Sequence, residues 1–294
     1  LDMSKFAIGQ ISTSVEGADG VQVDVANAKT LIGAGMHVQP DVFAQLNTDN
    51  AEVIALHIAK NKVHSQTVVI THSVDKSGVV AYPRLVIDAA ENSEIVVVER
   101  FTSADNVHSL VVPVVEVRAA QSARVTYLAI NELGKNTWQI GHQVAVGERD
   151  SNVRMFTVAL GGDYARVRAE VRLVGQGASA QQTALYFADG SQMHDFRTLQ
   201  SHEAPRTHSD LLFKGAVKDT SKSVYTGLIK ITENGTKTEA FQTNRTLTLS
   251  RGAWAESVPN LEIETNDVKC SHASTVGPID DDQRFYLESR GVPP

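Results

Sequence analysis

Short runs of β-branched and other apolar residues recur along the chain from about residue 51 almost to its end. The runs have the lengths of strands, and few segments between them combine helical length with an apolar period of 3.6 residues. The runs include residues 52–58, 67–71, 94–98, 111–117, 124–130, 153–160, 167–174, 211–217, 224–231, 246–249 and 261–264. The pattern therefore predicts an all-β protein, and the dominance of Val over aromatic residues favours flat, β-branched layers.

A strand, a corner of small residues, a polar pair and a second strand return with a loose period. The segments 85–97 and 115–127 show this rhythm most clearly, and corners are predicted near residues 90, 120, 147, 177, 219 and 252. An insertion is expected between Gly177 and Asp219, where the spacing is longest. Such a period is typical of a solenoid or a propeller, but Gly-His and Trp-Asp pairs do not recur in register, as they would in a WD propeller.

The interpretation that remains is a parallel β-helix, in which each coil contributes two or three short strands and stacks Val, Ile and Leu inside the tube. The absence of helices between the strands argues against a doubly wound α/β sheet. A β-sandwich is the alternative that the pattern leaves open. We divide the chain into an N-terminal cap over residues 1–50, a β-helix core over 51–276 and the start of a C-terminal helical region over 277–294. Within the cap we predict a hairpin around Gly17–Gly20 and a short helix from Pro40 to Leu46, which could cap the first coil.

Composition and charge exclude several classes of protein. The 294 residues carry a net charge of −7, which argues against a nucleic-acid partner because phosphate neutralisation needs clustered Lys and Arg. The single cysteine excludes a disulfide framework and fits a reducing cytosol. The most apolar stretch, Val107–Val117, is too short to span a bilayer, and no export signal is evident. We therefore predict a cytoplasmic protein without a membrane partner.

Three motifs have a structural explanation that outweighs the functional one. Gly175–Ala180 matches the loose dinucleotide pattern G-x-G-x-x-A, but the run that follows is predicted as a strand rather than a helix, so a glycine corner is favoured. Asp280–Asp282 stands at the start of a predicted helix, where the helix dipole stabilises acids. His194, His202 and His208 match no compact metal-ligand spacing, and we expect them to line one loop and strand surface.

The pair Cys270 and His272 is the stronger candidate. If this run is extended, alternation places both side chains on one face, about 7 Å apart along the strand. A thiolate and an imidazole so placed could both reach a zinc ion, an iron ion or an iron–sulfur centre. The structural alternative is that Cys270 is a buried small apolar residue, since Val268 shares its face.

Residues 267–277 and 280–291 resemble the SufB/SufD family of iron–sulfur cluster assembly proteins, as do 208–215, 224–230 and 237–244. Residues Gln242–Asn244 stand where the SufB branch of the family carries a Cys, so the resemblance is to the SufD branch. One departure is Ala273, where the family usually has Gly. A methyl group is tolerated there unless the backbone needs a positive φ.

The resemblance implies a right-handed parallel β-helix and a scaffold subunit rather than an enzyme. Such proteins pair with SufB through their β-helices and hold the SufC ATPase through a C-terminal helical region. A transient iron–sulfur cluster is assembled at the SufB–SufD interface, where a SufB cysteine and a SufD histidine are implicated, and no cofactor is expected in the isolated chain. His272 matches that histidine, and Cys270 is its neighbour in the motif.

Two further expectations concern association. Because the sequence stops just after Gly291, weak or no SufC binding is expected from these 294 residues. Open parallel strand edges favour pairing, so a homodimer is expected when the chain is isolated.

Two other functions remain open. A β-helix enzyme acting on polysaccharides would need carboxylates paired across coils, and Asp88, Glu116 and Glu170 form no evident pair. The other is a cytoplasmic interaction solenoid without metal chemistry.

Overall fold

The computed structural model describes residues 5–24, 33 and 41–293, and strands make up most of this part of the chain. Its elements, in chain order, are β1 (Ala7–Ile8), β2 (Ser12–Glu16), β3 (Gln22–Asp24), α1 (Val42–Asn50), β4 (Glu52–Ile58), β5 (Val63–Val74), β6 (Val79–Ala81), β7 (Pro83–Ala89), β8 (Glu94–Ser103), β9 (Ser109–Val111), β10 (Val114–Ala119), β11 (Arg124–Glu132), β12 (Thr137–Gly147), β13 (Asn152–Ala159), β14 (Tyr164–Leu173), β15 (Ser179–Ala188), β16 (Met193–His202), β17 (His208–Val217), β18 (Lys222–Ile231), β19 (Thr238–Thr248), β20 (Trp254–Ile263), β21 (Val268–Gly277) and α2 (Asp281–Ser289).

Two long sheets face each other across a continuous tube. Sheet A runs in the order β3-β4-β7-β10-β12-β14-β16-β18-β20, and sheet B in the order β2-β5-β8-β11-β13-β15-β17-β19-β21. From β4 and β5 onward every neighbouring pair is parallel, and each coil contributes one strand to each sheet. The short strands β1, β6 and β9 form a third side that joins β12. This is a parallel β-solenoid of about eight turns, which confirms the predicted β-helix and excludes the sandwich.

The corners between sheet A and sheet B are built on left-handed residues. Positive φ angles occur there at Asn61, Asn92, Ser122, Asp150, Gly177, Arg206 and Lys237, at separations of 27–31 residues. The N–H of each donates to a carbonyl of the next coil, as from Asn92 to Gln121 (2.9 Å). The predicted insertion after Gly177 is therefore wrong. Asp219 and Gly252 belong to the opposite corner, and most left-handed corner residues are not glycines, so the glycine spacing misled the alignment.

The filling of the tube changes along its axis. In the early coils it consists of aliphatic side chains such as Ile87, Val117 and Val125, as predicted. From about β14 onward, aromatic side chains take their place; Tyr186, Phe196, Phe213 and Tyr225 are examples. Polar side chains are buried in these later coils as well, among them His194, Gln200, His202, Gln242 and Asn244. The last coils therefore enclose hydrogen-bonding groups.

The N-terminal segment closes the first coil with two strands instead of a hairpin. β2 pairs antiparallel with β5, and β3 pairs antiparallel with β4, so the two strands extend different sheets. Between them, Ala18 and Val21 pack against the aliphatic core. The segment differs from the predicted hairpin because β4 and β5 each have a free edge with unpaired backbone N–H and C=O groups. β3 pairs with the edge of β4, and β2 pairs with the edge of β5.

Helix α1 lies on the outer side of sheet A rather than over the first coil. It begins after Asp41, whose side chain accepts the N–H groups of Phe43 and Ala44. The buried Asn47 amide donates to the carbonyls of Pro83 (3.0 Å) and Val112 (2.7 Å), which belong to successive coils. The helix thus lies along the side of the tube. The predicted start at Pro40, like residues 1–4, 25–32, 34–39 and 294, lies outside the described residues.

No helix in the described ranges combines the length and the apolar character needed to cross a bilayer.

Candidate functional site

The last coil is an open end of the tube. Strands β20 and β21 are the final members of sheets A and B, and no strand among the described residues pairs with their outer edges. Their outward backbone N–H and C=O groups are available for pairing with another chain. We call this region the open end, defined by residues 254–263 and 268–277.

Cys270 and His272 lie on the row of β21 that faces into the tube. β21 pairs with β19 in unbroken register from Val268 to Gly277. Val268 and Cys270 pack against a buried cluster of the preceding coil, made of Ile229, Ile231 and Ala240. On the other side of His272, the Ser274 hydroxyl lies 2.7 Å from that of Ser257 on β20. Because alternate residues of a strand share a face, His272 lies in the same row, between Cys270 and Ser274.

The two side chains differ in environment. Cys270 is half-buried, and burial raises the pKa of its thiol. A bound cation would favour the thiolate, which is the form that binds metals. His272 is exposed, because no further coil of the described chain covers it. The position of the last coil therefore gives a solvent-accessible imidazole beside a shielded sulfur.

Within the described part of the chain, no group of three or more His, Cys, Asp or Glu residues is close enough together to hold a metal ion. Cys270 and His272 are thus a pair of donors and not a complete coordination sphere. The sequence placed these two residues on one face, and the structure places them there as well. Their role as ligands stays a prediction.

Two apolar side chains of β20, in the same last coil as this pair, are left uncovered. In one ladder, Ile231 is 0% exposed, whereas Ile263, its neighbour in the last coil, is 41% exposed. In the next ladder, Ile229 is 0% exposed and Leu261 is 39% exposed. The stacking that fills the tube therefore continues to the last coil and ends with a bare apolar layer. Contiguous exposed apolar surface of this kind marks sites of association.

His194, His202 and His208 do not share a surface. His194 and His202 are buried inside the tube on β16, whereas His208 is exposed on the outer side of β17. The prediction that they line one surface is wrong, because alternation separates His208 from the other two. Burial lowers the pKa of His194 and of His202 to about 4, so both are uncharged at neutral pH.

The other sequence motifs have the structural roles that were favoured. Gly177 is a left-handed corner residue followed by β15, so Gly175–Ala180 lacks the helix of a dinucleotide site. Asp280 caps α2 by accepting the N–H of Gln283 (3.0 Å), and the two acids that follow it lie in the first turn. Ala273 is not among the residues with positive φ, so its methyl group is accommodated in β21.

Each of the acidic residues considered for polysaccharide chemistry forms an ion pair with an arginine. Asp88 lies 3.1 Å from Arg118, Glu116 pairs with Arg84 and Glu170 pairs with Arg168. Each of these carboxylates therefore has a structural role in an ion pair between or within the coils.

Sequence reasoning used Gln242 only as a mark of the SufD branch and did not place it at this site. It is the register neighbour of His272 on β19, it is 1% exposed, and neither atom of its amide has a hydrogen-bond partner. A separation of 30 residues from His272, which is one coil, is the signal that could have pointed to it.

Comparisons with known proteins give a consistent result. The model of the family described as SUF system FeS cluster assembly, SufBD core domain, matches residues 69–294. An iron–sulfur cluster assembly SufBD family protein of Mycobacterium tuberculosis is 35% identical over 99% of this chain and 75% of its own length. The iron–sulfur cluster assembly protein SufD of Escherichia coli is 28% identical over 96% of this chain and 67% of its own length. SufD of Bacillus subtilis is 28% identical over 81% of this chain and 55% of its own length.

Proposed function

The chain belongs to the SufBD core family of the SUF system, and from that premise we propose that it is a SufD-type scaffold subunit rather than an enzyme. Membership of the family supports a role in iron–sulfur cluster assembly. The observation that carries the more specific proposal is the pair Cys270 and His272, which lies at an uncovered end of the tube beside unpaired strand edges.

The partner at the open end is a SufB-type chain in this proposal. The free edges of β20 and β21 offer main-chain hydrogen bonds, which any strand of matching length can accept. The bare layer that contains Leu261 and Ile263 offers apolar area, since both residues continue ladders that are fully buried one coil earlier. A subunit with strands of its own can satisfy both features at once. In the absence of that subunit, a second copy of this chain can do so, which gives the homodimer predicted from the sequence.

The cargo of the complex is a nascent iron–sulfur cluster. Thiolate and imidazole are both ligands that iron accepts. This chain contributes the Cys270 sulfur and the His272 imidazole, and the facing subunit contributes the other ligands. A site divided between two subunits can be opened by moving one of them, which is a physical route by which an ATPase can act on assembly.

The ATPase, SufC, is proposed to dock on the helical region to which α2 belongs, and weak binding by these 294 residues stays our prediction. This helix has no buried residue, and Phe285 (71% exposed), Tyr286 (57%) and Leu287 (49%) leave a large apolar surface uncovered. Such a surface on a single short helix is expected to be covered when the helix has its binding partner.

The test is a reconstituted complex. The chain is co-expressed with SufB and SufC, the complex is purified without oxygen, and iron and sulfide are counted per complex. We expect His272→Ala and Cys270→Ala to remove most of the iron while the subunits remain associated. Ser271→Ala, an exposed substitution between the two on the same strand, is the matched control and should leave the iron content unchanged.

Three outcomes separate the alternatives. Full iron content in both variants would refute the ligand role and favour an interaction solenoid without metal chemistry. Failure of the wild-type chain to associate with SufB would refute the scaffold role. Ile263→Glu places a charge in the bare apolar layer and should prevent the association with SufB, and retention of the complex would contradict the proposed docking surface.

A further inference from the structure

Gln242 combines complete burial with an unused hydrogen-bonding capacity. Its side chain is 1% exposed inside the tube, and neither Oε1 nor Nε2 has a partner. Nearly all buried polar side-chain atoms in proteins are paired, so an unpaired amide at this depth calls for an explanation. The residue lies one coil behind the open end, directly beside His272 in the ladder of sheet B.

The fold leaves room for this amide. Gly227 on β18 faces it across the tube, and a Cβ atom at Gly227 would lie 2.4 Å from Nε2 of Gln242 and 2.4 Å from the Tyr225 hydroxyl. A side chain at position 227 would therefore displace the amide. The Tyr225 hydroxyl forms a hydrogen bond with the Thr198 hydroxyl (3.0 Å), so the tyrosine side of the space around the amide is held in place.

The ladder offers Gln242 only one polar neighbour. Its register partner in the preceding coil is Leu211, which cannot form a hydrogen bond, and its partner in the last coil is His272. Neighbouring strands lie about 4.8 Å apart, a distance that two long side chains can bridge. The imidazole also needs such a partner, because the hydrogen bond made by one ring nitrogen determines which nitrogen is free to bind a metal.

We propose that Gln242 is a positioning residue for His272. In this structure His272 is exposed and the two side chains are not hydrogen-bonded; when the imidazole turns into the tube, the free amide oxygen of Gln242 accepts its N–H and selects the tautomer whose other nitrogen points out of the open end. Gln242 itself does not touch the cluster. The inference rests on the proposed function, since it assigns to His272 the role of a ligand, and it adds a residue that the sequence motif does not contain.

The test measures the tautomer directly. The full chain is labelled with ¹⁵N-histidine, the His272 signals are assigned by comparison with His272→Ala, and the tautomer ratio is read from the ring ¹⁵N shifts at pH 8.5. Gln242→Met keeps the length of the side chain and removes the acceptor. We expect it to change the ratio by about fivefold, the factor that one net hydrogen bond supplies. Gln242→Glu retains an acceptor oxygen and should preserve the wild-type tautomer.

A matched control lies in the same ladder. Gln182 on β15 is 2% exposed and two coils deeper, so Gln182→Met makes the same chemical change without a neighbouring imidazole. It should leave the His272 signals unchanged. Thermal unfolding of each variant verifies folding, and Gln242→Leu is a second variant without an acceptor in case the methionine does not fit.

The reconstituted complex gives a second readout. Gln242→Met should weaken the retention of iron under chelator challenge about tenfold, the effect expected from losing a group that orients a ligand. An unchanged tautomer ratio in both Gln242→Met and Gln242→Leu would overturn the positioning role. If His272→Ala keeps its iron, the proposed function fails, and this result is distinguishable because it does not depend on the tautomer.

Discussion

Mild acid should destabilise this protein because two imidazoles are buried uncharged inside the tube. Burial lowers the pKa of His194 from 6.5 to about 4, and the backbone at Gly161 opposes this shift only in part. The pKa of His202 is also lowered to about 4, first by burial and then by the charge of His208. In the unfolded chain both residues titrate near their ordinary pKa. Between pH 6.5 and 4 the unfolded state therefore binds protons that the folded state does not, and stability falls as the pH falls.

The size of the effect follows from the two pKa values of each residue. At pH 5 the linkage lowers the free energy of unfolding by about 2 kcal/mol per histidine relative to pH 8, and by about 4 kcal/mol for both. The loss is complete below pH 4, at about 3.4 kcal/mol for each residue. Losses of this size are a large fraction of the total stability of a typical domain.

The assay is urea unfolding followed by circular dichroism at pH 8, 6.5 and 5. His194→Leu removes one of the two groups; neither ring nitrogen of His194 makes a hydrogen bond of ordinary geometry, and the Gly161 backbone is the polar group that acts on the ring. The variant should therefore retain about half of the wild-type dependence on pH. His208→Leu makes the same change at an exposed position and should retain nearly all of it. If His194→Leu loses as much stability as the wild type between pH 8 and 5, the reasoning is refuted.

Three further predictions concern stability, each measured by the urea midpoint at pH 8. Ile231→Ala should lower the free energy of unfolding by about 2–5 kcal/mol. Ile263→Ala, at the next position of the same ladder, should lower it by less than about 1 kcal/mol in the isolated chain. Equal losses in the two variants would mean that the open end is covered. Arg84→Met should cost about 3–5 kcal/mol because it leaves the buried Glu116 carboxylate without its cation, and the double variant with Glu116→Leu should recover most of this loss. Gly215→Ala places a methyl group 2.0 Å from a buried tyrosine ring, so we expect a loss of about 1–3 kcal/mol or more, and an unchanged midpoint would show that the ring can move aside.

The residue pattern correctly predicted those features of the fold that depend on backbone geometry alone. Runs of apolar residues with strand length predicted the strands, and their period predicted coils, because a tube needs each run to return to the same side. Alternation likewise placed Cys270 and His272 on one face of β21.

The corners show where local pattern misled the interpretation. Glycine is the residue expected at a left-handed position, yet Asn92, Ser122 and Arg206 occupy such positions here. The hydrogen bond from each corner N–H to the next coil holds these residues in place, and it exists only when the coils are stacked. The sequence could therefore not reveal the uniform spacing of the corners.

The sequence by itself determined the strand content, the coil period, the family and the face shared by Cys270 and His272. The tertiary structure alone decided which side chains are covered by a neighbouring coil, and this sets the exposure of every residue in the motif. Ile231 and Ile263 are both isoleucines in one ladder, yet only the second is exposed. The same stacking buries Gln242 beside His272 across 30 residues of chain. Burial and cross-strand neighbours depend on what lies one coil away, which is why no local pattern contains them.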